Sequence, residues 1–265
     1  KDAGLIKYKL AFQLGMTGSQ YSHSLQPGTY TLTTGMSTLD MIKTLCYVES
    51  TREVKYTLTV PEGFTVEQIA DRCEELGFCS AKEFLEACKS GEFEYPFEIP
   101  SSEVKYALQG FLFPATYDIY ADMTPKELIQ DMIDKFNSIY TDDFRKKAEE
   151  IGYTDFEVLT MASIVEKECK LDSDRAMVAG VFINRLNDDM PLQVDPSVLY
   201  VVTDGQYNQA ELSYDDLEVD SPYNTYKYTG LPVGPICNPG EASIEGVLNA
   251  VKHDYYYYLT SDESQ

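Results

Sequence analysis

An apolar helical run that ends in an acidic residue constrains the fold of this chain more than any other feature. The run covers residues 158–165, and Glu166 follows it before the apolar pattern has ended. A carboxyl group on such a face is costly to remove from water unless a partner or a chemical role compensates. Glu166 is therefore the leading candidate for a functional residue. Its alternative interpretation is a structural acid paired with Arg175 or Arg185.

Length and charge limit the class of protein. The 265 residues suffice for one large domain or two ordinary ones, and 44 acidic against 21 basic residues give a net charge of -23. Such a surface repels phosphate backbones, and no dense basic stripe offsets it, so we expect no nucleic-acid partner. The simplest role of the acidity is solubility. The sequence contains no apolar run of about 18 residues or more. Because it begins with Lys1 rather than Met, we expect a part of a longer protein.

The histidines and cysteines do not form a metal-binding pattern. His23 and His253 stand outside any ligand cluster, and none of the six cysteines forms a CxxC pair. We therefore expect neither a structural zinc ion nor another cofactor. One disulfide among Cys73, Cys79 and Cys88 is compatible with their spacing. The alternative is that all six cysteines are small buried residues, because a chain of this length needs no disulfide staples.

The first hundred residues predict short alternating elements. The predicted elements are a strand over 28–33, a helix over 39–46, a strand over 54–60, a helix after Thr65 and a helix from Ala81 to about Cys88. Gln68 follows Thr65 at the spacing of a capping box. Residues 60–87 resemble the LysM pattern, and LysM modules bind glycans that contain N-acetylglucosamine. The alternative is a small α+β support domain without sugar contacts. We place the domain boundary near Ser101.

The second part predicts mainly helices. The predicted elements are a helix from Pro125 capped by Thr124, the Glu166 helix with Asp155 as its cap, a helix to Leu186 capped by Ser173 or Asp174, a strand or short apolar segment over 199–202, a helix from Ser243 to Val251 and a tyrosine-rich strand over 255–258. These signals rest on caps and on the period of the apolar residues.

Seven blocks occur in order along the chain. They are Gly-Phe-Leu-Phe-Pro-Ala-Thr-Tyr at 110–117, Ala-Ser-Ile-Val-Glu-Lys-Glu at 162–168, Val-Phe-Ile-Asn-Arg-Leu at 181–186, Leu-Gln-Val-Asp-Pro at 192–196, Ser-Pro-Tyr-Asn-Thr-Tyr at 221–226, Gly-Leu-Pro-Val-Gly-Pro-Ile at 230–236 and Asn-Pro-Gly-Glu-Ala-Ser at 238–243. Together they resemble the endolytic murein transglycosylase family, often called YceG-like.

The resemblance implies a fold and a location. It implies an α+β protein in which a small LysM-like N-terminal domain, residues 1–101, precedes a mixed α+β catalytic domain, residues 102–265. Family members are bitopic membrane proteins with one N-terminal transmembrane helix, which would lie outside this sequence. This region would then be extracytoplasmic. The expected partners are peptidoglycan glycan strands and the peptidoglycan synthases. Gln109 departs from the family, which usually has Glu at this position.

The resemblance also implies a reaction. Family members cleave within nascent glycan strands, at the MurNAc–GlcNAc β-1,4 bond, and leave 1,6-anhydro-MurNAc ends. Glu166 matches the family's catalytic glutamate. As general acid it would protonate the leaving oxygen, and as base it would then deprotonate the muramyl C6 hydroxyl. It must keep a proton near neutral pH for this, and we expect the apolar run over 162–165 to supply the setting.

Polar residues of the neighbouring blocks are candidates for binding the substrate. They are Tyr117, Gln193, Asp195, Ser221, Tyr223, Asn224 and Tyr226. Their oxygen atoms are suited to an oxocarbenium-like transition state. The alternative for Asp195 and Asn224 is that they only shape turns. Glu168 is interpreted as a supporting or ion-pair residue.

Two other functions stay open. One is a non-catalytic glycan-binding scaffold of the cell-wall synthesis machinery, built on the same fold. The other is a hydrolase in which Asp195 acts as the base beside Glu166.

Overall fold

The computed structural model describes residues 37, 41, 54–89 and 93–259. The chain divides into two compact units, Lys1–Val54 and Lys55–Gln265. In the first unit Met41 is helical, and its backbone N–H donates to the carbonyl of Ser37. The predicted strand over 28–33 and the rest of the predicted helix over 39–46 lie outside the described residues.

The second unit is mainly helical, with one small sheet. Its elements are β1 (Val54–Thr59, which starts one residue before the unit), α1 (Val66–Glu75), α2 (Ala81–Cys88), β2 (Thr116–Tyr120), α3 (Pro125–Ile139), α4 (Asp142–Ile151), α5 (Asp155–Glu168), α6 (Asp172–Asn187), α7 (Asp195–Val202), α8 (Tyr214–Leu217) and α9 (Glu241–Leu248). This mixture of helices and a sheet confirms the predicted α+β class.

The sheet consists of β1 and β2. The backbone N–H of Val60 donates to the carbonyl of Ala115, and the hydroxyls of Thr59 and Thr116 lie 3.2 Å apart. These pairs run in opposite directions along the two segments, so the strands are antiparallel. The sequence predicted β1 but not β2.

One apolar core lies beneath the sheet and joins both sides of residue 101. Leu58, Ile69 and Phe84 precede that residue, and they share the core with Leu108 and Ile133. The segment after residue 101 is therefore buried against α1 and α2. The boundary near Ser101 stays a prediction.

The second core surrounds α5. Nine of the residues of this helix are buried, and they occupy every side of it: Phe156 and the eight residues from Val158 to Val165. A helix that is apolar all round must be enclosed by other elements. Here α4, α6, α7 and α9 pack against α5. The last turn of α5 therefore emerges from a rigid support, and this turn carries Glu166.

Local capping signals fixed several helix starts correctly. The hydroxyl of Thr65 accepts the backbone N–H of Gln68, and Thr124 caps α3 with Pro125 at its first position. Three predicted caps were wrong. Thr154 rather than Asp155 caps α5, α6 begins after Leu171 without a side-chain cap, and α9 begins after Gly240.

Two predicted strands were also wrong. Residues 199–202 belong to helix α7, and residues 255–258 are not a strand. Side chains of α6 satisfy the backbone of the tyrosine segment in place of a partner strand. The amide of Asn184 donates to the carbonyls of His253 and Tyr255, and the guanidinium of Arg185 donates to the carbonyl of Tyr256.

Three further properties apply to the described residues only. No helix there is long and apolar enough to cross a membrane. No three or more His, Cys, Asp or Glu residues there form a group that could hold a metal ion. Five cysteines are free thiols in that part of the chain, and all except the half-buried Cys79 are buried.

Candidate functional site

The carboxyl group of Glu166 is enclosed by hydrogen-bond donors. Its Oε1 lies 3.2 Å from Nη1 of Arg175, and only 7% of the Glu166 side chain is exposed. Its Oε2 accepts the backbone N–H of Gly240 at 2.9 Å and the hydroxyl of Ser243 at 2.8 Å. The ion pair with Arg175, which was the alternative interpretation of Glu166, is therefore present in the structure. Arg185 instead donates to backbone carbonyls such as that of Leu192.

This environment differs from the apolar setting that the sequence predicted. The predicted run over 162–165 is buried in the core behind the carboxyl group, not around it. Charge-assisted hydrogen bonds from a guanidinium, a hydroxyl and a backbone N–H all favour the negative carboxylate. The resting geometry is thus that of an anion held in place.

Arg175 is itself held by the carboxylates of Glu166 and Asp172. Its Nε lies 3.0 Å from Oδ1 of Asp172, and its Nη1 also contacts the hydroxyl of Ser243. Burial alone would lower the pKa of Arg175, but the Glu166 and Asp172 carboxylates outweigh burial and raise it above its ordinary value. The guanidinium therefore stays charged and oriented beside Glu166.

Helix α9 brings its positive end to the carboxylate. Gly240 is the N-cap of α9 and Ser243 lies in its first turn. The first N–H groups of a helix lack partners within the helix and favour an anion. A close approach of α9 to α6 makes this arrangement possible, because a Cβ on Gly246 would lie 2.8 Å from Cβ of Arg175. The sequence predicted Ser243 as a helix cap, whereas its hydroxyl serves Glu166.

Asn238 fastens the turn before α1 to the same place. The backbone of Asn238 exchanges hydrogen bonds with Gly63 and Phe64. Its side-chain Oδ1 accepts the backbone N–H groups of Gly110 and Leu112 at 2.9 and 3.0 Å. A Cβ on Gly63 would lie 3.5 Å from Cγ of Glu166. Asn238 therefore sets the turn at residues 61–63 directly against the Glu166 side chain.

Glu62 in that turn is a site residue that sequence reasoning missed. A Cβ on Gly240 would overlap the Glu62 carboxyl group, so Glu62 lies against the residue that donates to Glu166. Burial raises the pKa of Glu62, and the charge of Glu166 raises it further against the opposing charge of Arg175. No local pattern in the sequence indicates that these segments meet.

The Lys167 ammonium contacts an aromatic ring beside the site. Its Nζ lies 3.7 Å from the centre of the Tyr207 ring, in a cation–π contact. Burial lowers the pKa of Lys167, and the nearby Cys237 and Glu166 oppose this shift.

Asp195 and Tyr226 are brought together, but beside Glu168. The hydroxyl of Tyr226 donates to Oδ1 of Asp195. Burial raises the pKa of Glu168, a hydrogen bond from Tyr258 opposes this, and the charge of Asp195 adds to the rise. Residues two apart on a helix do not share a face. These two predicted site residues therefore form a second cluster, separate from the donors around Glu166.

The other predicted binding residues are dispersed. Tyr117 and Tyr223 are buried, and their hydroxyls bond to the backbone of Phe113 and Lys105. The buried Asn224 bonds to the carbonyls of Leu217 and Val219 and accepts the N–H of Tyr226, which is a turn-shaping role. Gln193 is exposed, with a φ of 50°. Ser221 lines an open cavity of about 490 Å³ together with Glu103, Asp220, Pro222, Tyr228, Leu231 and Val233.

Gln109 acts away from the Glu166 carboxylate. It is buried, and its Oε1 accepts the backbone N–H of Val66 at the start of α1, at 3.0 Å. A glutamate carboxylate would accept the same bond, so the departure from the family at this position leaves the helix start satisfied.

Comparison with known proteins places the chain in a family. The profile of the YceG-like family matches residues 1–265. The endolytic murein transglycosylase of Streptococcus pneumoniae (strain ATCC BAA-255 / R6) is 38% identical over 98% of this chain and 50% of its own length. That of Bacillus subtilis (strain 168) is 35% identical over 100% of this chain and 75% of its own length.

A solved structure agrees with these matches. The crystal structure of a yceG-like protein from Listeria monocytogenes has a TM-score of 0.72 and 33% sequence identity, over 99% of this chain and 87% of that one. The chain belongs to the YceG-like family. It spans about half the length of the pneumococcal relative.

Proposed function

We propose that this protein is an endolytic peptidoglycan transglycosylase that cleaves the MurNAc–GlcNAc β-1,4 bond within nascent glycan strands. The observation that carries the proposal is the carboxylate of Glu166, fixed by Arg175, Ser243 and the N-terminus of α9. The curated relatives that match nearly the whole chain are named endolytic murein transglycosylases, which supports the same reaction.

Lytic cleavage requires one proton to move between two oxygen atoms of the substrate. The glycosidic oxygen gains a proton as its bond to the muramyl C1 breaks, and the C6 hydroxyl loses one as it closes the 1,6-anhydro ring. We propose that Glu166 is the acid/base group of this exchange. Its donors suit the second half, because a carboxylate held in place is a ready base.

The alternative functions have weaker support. In a hydrolase, Asp195 would activate water beside Glu166, but Asp195 bonds to Tyr226 in the cluster around Glu168. A scaffold without activity would gain nothing from a buried carboxylate with a buried counter-ion, which is an expensive arrangement to maintain.

We further propose a location and a glycan-binding element. By resemblance to the family, a membrane tether outside this sequence would hold this region outside the cytoplasm, near peptidoglycan synthases. The order β1, turn, α1, loop, α2 matches the order on which the LysM-like interpretation rests. A LysM-like element in residues 54–88 would bind N-acetylglucosamine units beside the cleavage site.

Digestion of purified peptidoglycan by the full-length, membrane-anchored protein tests this function. We expect mass spectrometry to detect new 1,6-anhydro-MurNAc ends within strands, and Glu166→Gln to reduce their rate of formation by about 10²–10⁴-fold. Glu168→Gln on the same helix is the matched control and should retain activity. Reducing ends in place of anhydro ends would indicate hydrolysis. No new ends at all, with intact binding to glycan, would favour the scaffold.

A further inference from the structure

The environment of Glu166 leaves the first half of the proposed reaction without an obvious proton source. Three donors, from Arg175, Ser243 and Gly240, point at its two oxygens. Both oxygens therefore already accept hydrogen bonds from fixed donors. Lytic cleavage nevertheless begins with a proton on the leaving oxygen. A second group that carries this proton would resolve the conflict.

Glu62 lies where such a group is needed. Gly240 is in contact with both carboxyl groups: its N–H donates to Oε2 of Glu166, and a Cβ on it would overlap the carboxyl group of Glu62. The neighbouring Gly63 packs against Cγ of Glu166 from the same turn. The two acids are 104 positions apart in the sequence, and both lie next to Gly240.

The access of the two carboxyl groups differs. Glu62 is exposed, whereas only 7% of the Glu166 side chain is. No hydrogen bond or ion pair holds the Glu62 carboxyl among the residues that the structure describes. An exposed acid without a fixed partner can approach a bound glycan and donate a proton to it.

Burial and the neighbouring charges raise the pKa of Glu62. The acids Glu166 on α5 and Asp172 on α6 oppose ionisation of Glu62, and Arg175 on α6 favours it. Nζ of Lys167 lies near Gly63 in the same turn, at 3.8 Å from the position of a Cβ there. Partial burial is the largest cause of the raised pKa of Glu62, and the two acids add to it. Two neighbouring carboxyls whose environments differ in this way can divide the roles of acid and base.

We propose that Glu62 is a second catalytic carboxyl group, which takes the acid half of the exchange from Glu166 and delivers a proton to the leaving glycosidic oxygen. The inference rests on the proposed lytic function. The bond from the muramyl C1 to the glycosidic oxygen breaks, and that oxygen takes the proton of Glu62. The C6 oxygen bonds to C1, and its proton passes to Glu166. Glu166 then loses this proton to solvent and Glu62 takes one up from solvent, which restores the resting state with no net consumption of a reactant.

Two variants of the full-length protein test the proposal through different changes. Glu62→Gln removes the exchangeable proton and keeps the shape. Gly240→Ala keeps Glu62 but displaces its carboxyl group, since an alanine Cβ would occupy its place; the φ of -76° at residue 240 suits alanine. We expect the rate of anhydro-end formation to fall about 10²-fold or more in Glu62→Gln, with KM nearly unchanged. We expect a fall of about 10-fold or more in Gly240→Ala.

The control is Glu241→Gln, an exposed acid next to Gly240. It should keep activity within about twofold. The wild-type rate should decline at high pH, as Glu62 loses its proton, and the residual activity of Glu62→Gln should lack this decline. A Glu62→Gln enzyme within about twofold of the wild type, with the high-pH decline intact, would overturn the proposal.

A titration without substrate tests the inference independently of enzymatic activity. ¹³C NMR of labelled glutamate carboxyls should show Glu62 losing its proton at lower pH in Glu166→Gln than in the wild type, because the like charge is removed. An unchanged Glu62 titration would contradict the coupling of the two carboxyl groups, and with it the proposal, even if the enzyme is active. A wild type without anhydro products would instead refute the proposed function and leave the carboxyl pair to be judged by this titration.

Discussion

The substitution Arg175→Met should destabilise the protein strongly through Glu166. Arg175 and Glu166 have side chains that are 5% and 7% exposed, and their charged atoms lie 3.2 Å apart. Removal of one partner leaves the other charge buried without compensation, which costs about 3–5 kcal/mol. For a domain of 150–250 residues each kcal/mol lowers Tm by about 2–4 °C, so we expect a fall of about 6–20 °C.

The double variant isolates the cause of this loss. Glu166→Gln removes the buried charge, so Arg175→Met combined with Glu166→Gln should be more stable than Arg175→Met alone. Arg72→Met is the matched control, because Arg72 forms a pair with Glu75 at 3.4 Å on the exposed side of α1, where its side chain is 53% exposed. That substitution should cost no more than about 1 kcal/mol.

The four proteins to compare are the wild type, Arg175→Met, the double variant and Arg72→Met. Urea and thermal unfolding at pH 7, followed by circular dichroism, give the free energy of unfolding and the Tm of each. The reasoning fails if Arg175→Met unfolds within about 1 kcal/mol of Arg72→Met. It also fails if Glu166→Gln restores no stability in the Arg175→Met background. In either case the pair would be screened by water that reaches the carboxylate, and the charge of Glu166 would not be held by Arg175.

Two further predictions concern a glycine and a second acid. Gly110→Ala should destabilise the protein more than the control Gly152→Ala. Both residues have positive φ, which costs about 1–2 kcal/mol for alanine. Of the two, only Gly110 would place a Cβ within 2.9 Å of other side chains, including Pro235. Thermal unfolding of the two variants measures the difference, and equal losses would contradict it. For Glu168, whose folded pKa is raised above 4.5 by burial, stability declines as pH rises from about 4.5 through the folded value. Glu168→Gln should therefore stabilise the protein more at pH 7 than at pH 4, and a gain independent of pH would refute this assignment.

Local signals in the sequence were sufficient for the starts of α1 and α3 and for β1. Thr65 with Gln68, and Thr124 with Pro125, each place a cap within a few residues of the helix that it starts. Such pairs need no tertiary information. Strand β2 was missed although Thr116–Tyr120 alternates exposed polar and buried apolar residues, because the segment is only five residues long and its partner β1 is distant in the sequence.

Residues 199–202 show how tertiary packing overrides a strand-like composition. Valine and tyrosine favour strands, but Val198 and Tyr200 are buried in the core as parts of α7. The Asp195-Pro196 pair is a readable helix start, because proline is favoured in the first helical turn. Asp195 was instead interpreted as a substrate-binding residue or a turn former, and its value as a helix start could have corrected the prediction.

The sequence predicted only part of the candidate site, for a related reason. The apolar run predicted that Glu166 lies at the edge of the core. Its partner Arg175 lies on the next helix, α6, and is therefore close in the sequence. Gly240, Ser243 and Glu62 come from segments that meet Glu166 only after Asn238 has joined the turn at residues 61–63 to the segment before α9. Such contacts are decided by hydrogen bonds across the whole unit.

The last turn of α5 places two acids in contrasting environments, and the contrast bears on which of them performs chemistry. Glu168 has a phenol and a carboxylate as its neighbours, Tyr258 and Asp195, and neither can balance a negative charge. Glu166 has a guanidinium and the N-terminus of a helix, which tolerate a full charge and its temporary neutralisation. A base that must exist as an anion, accept a proton and give it up again needs the second environment. The electrostatics therefore favour Glu166 over Glu168 on grounds that are independent of the match to the family.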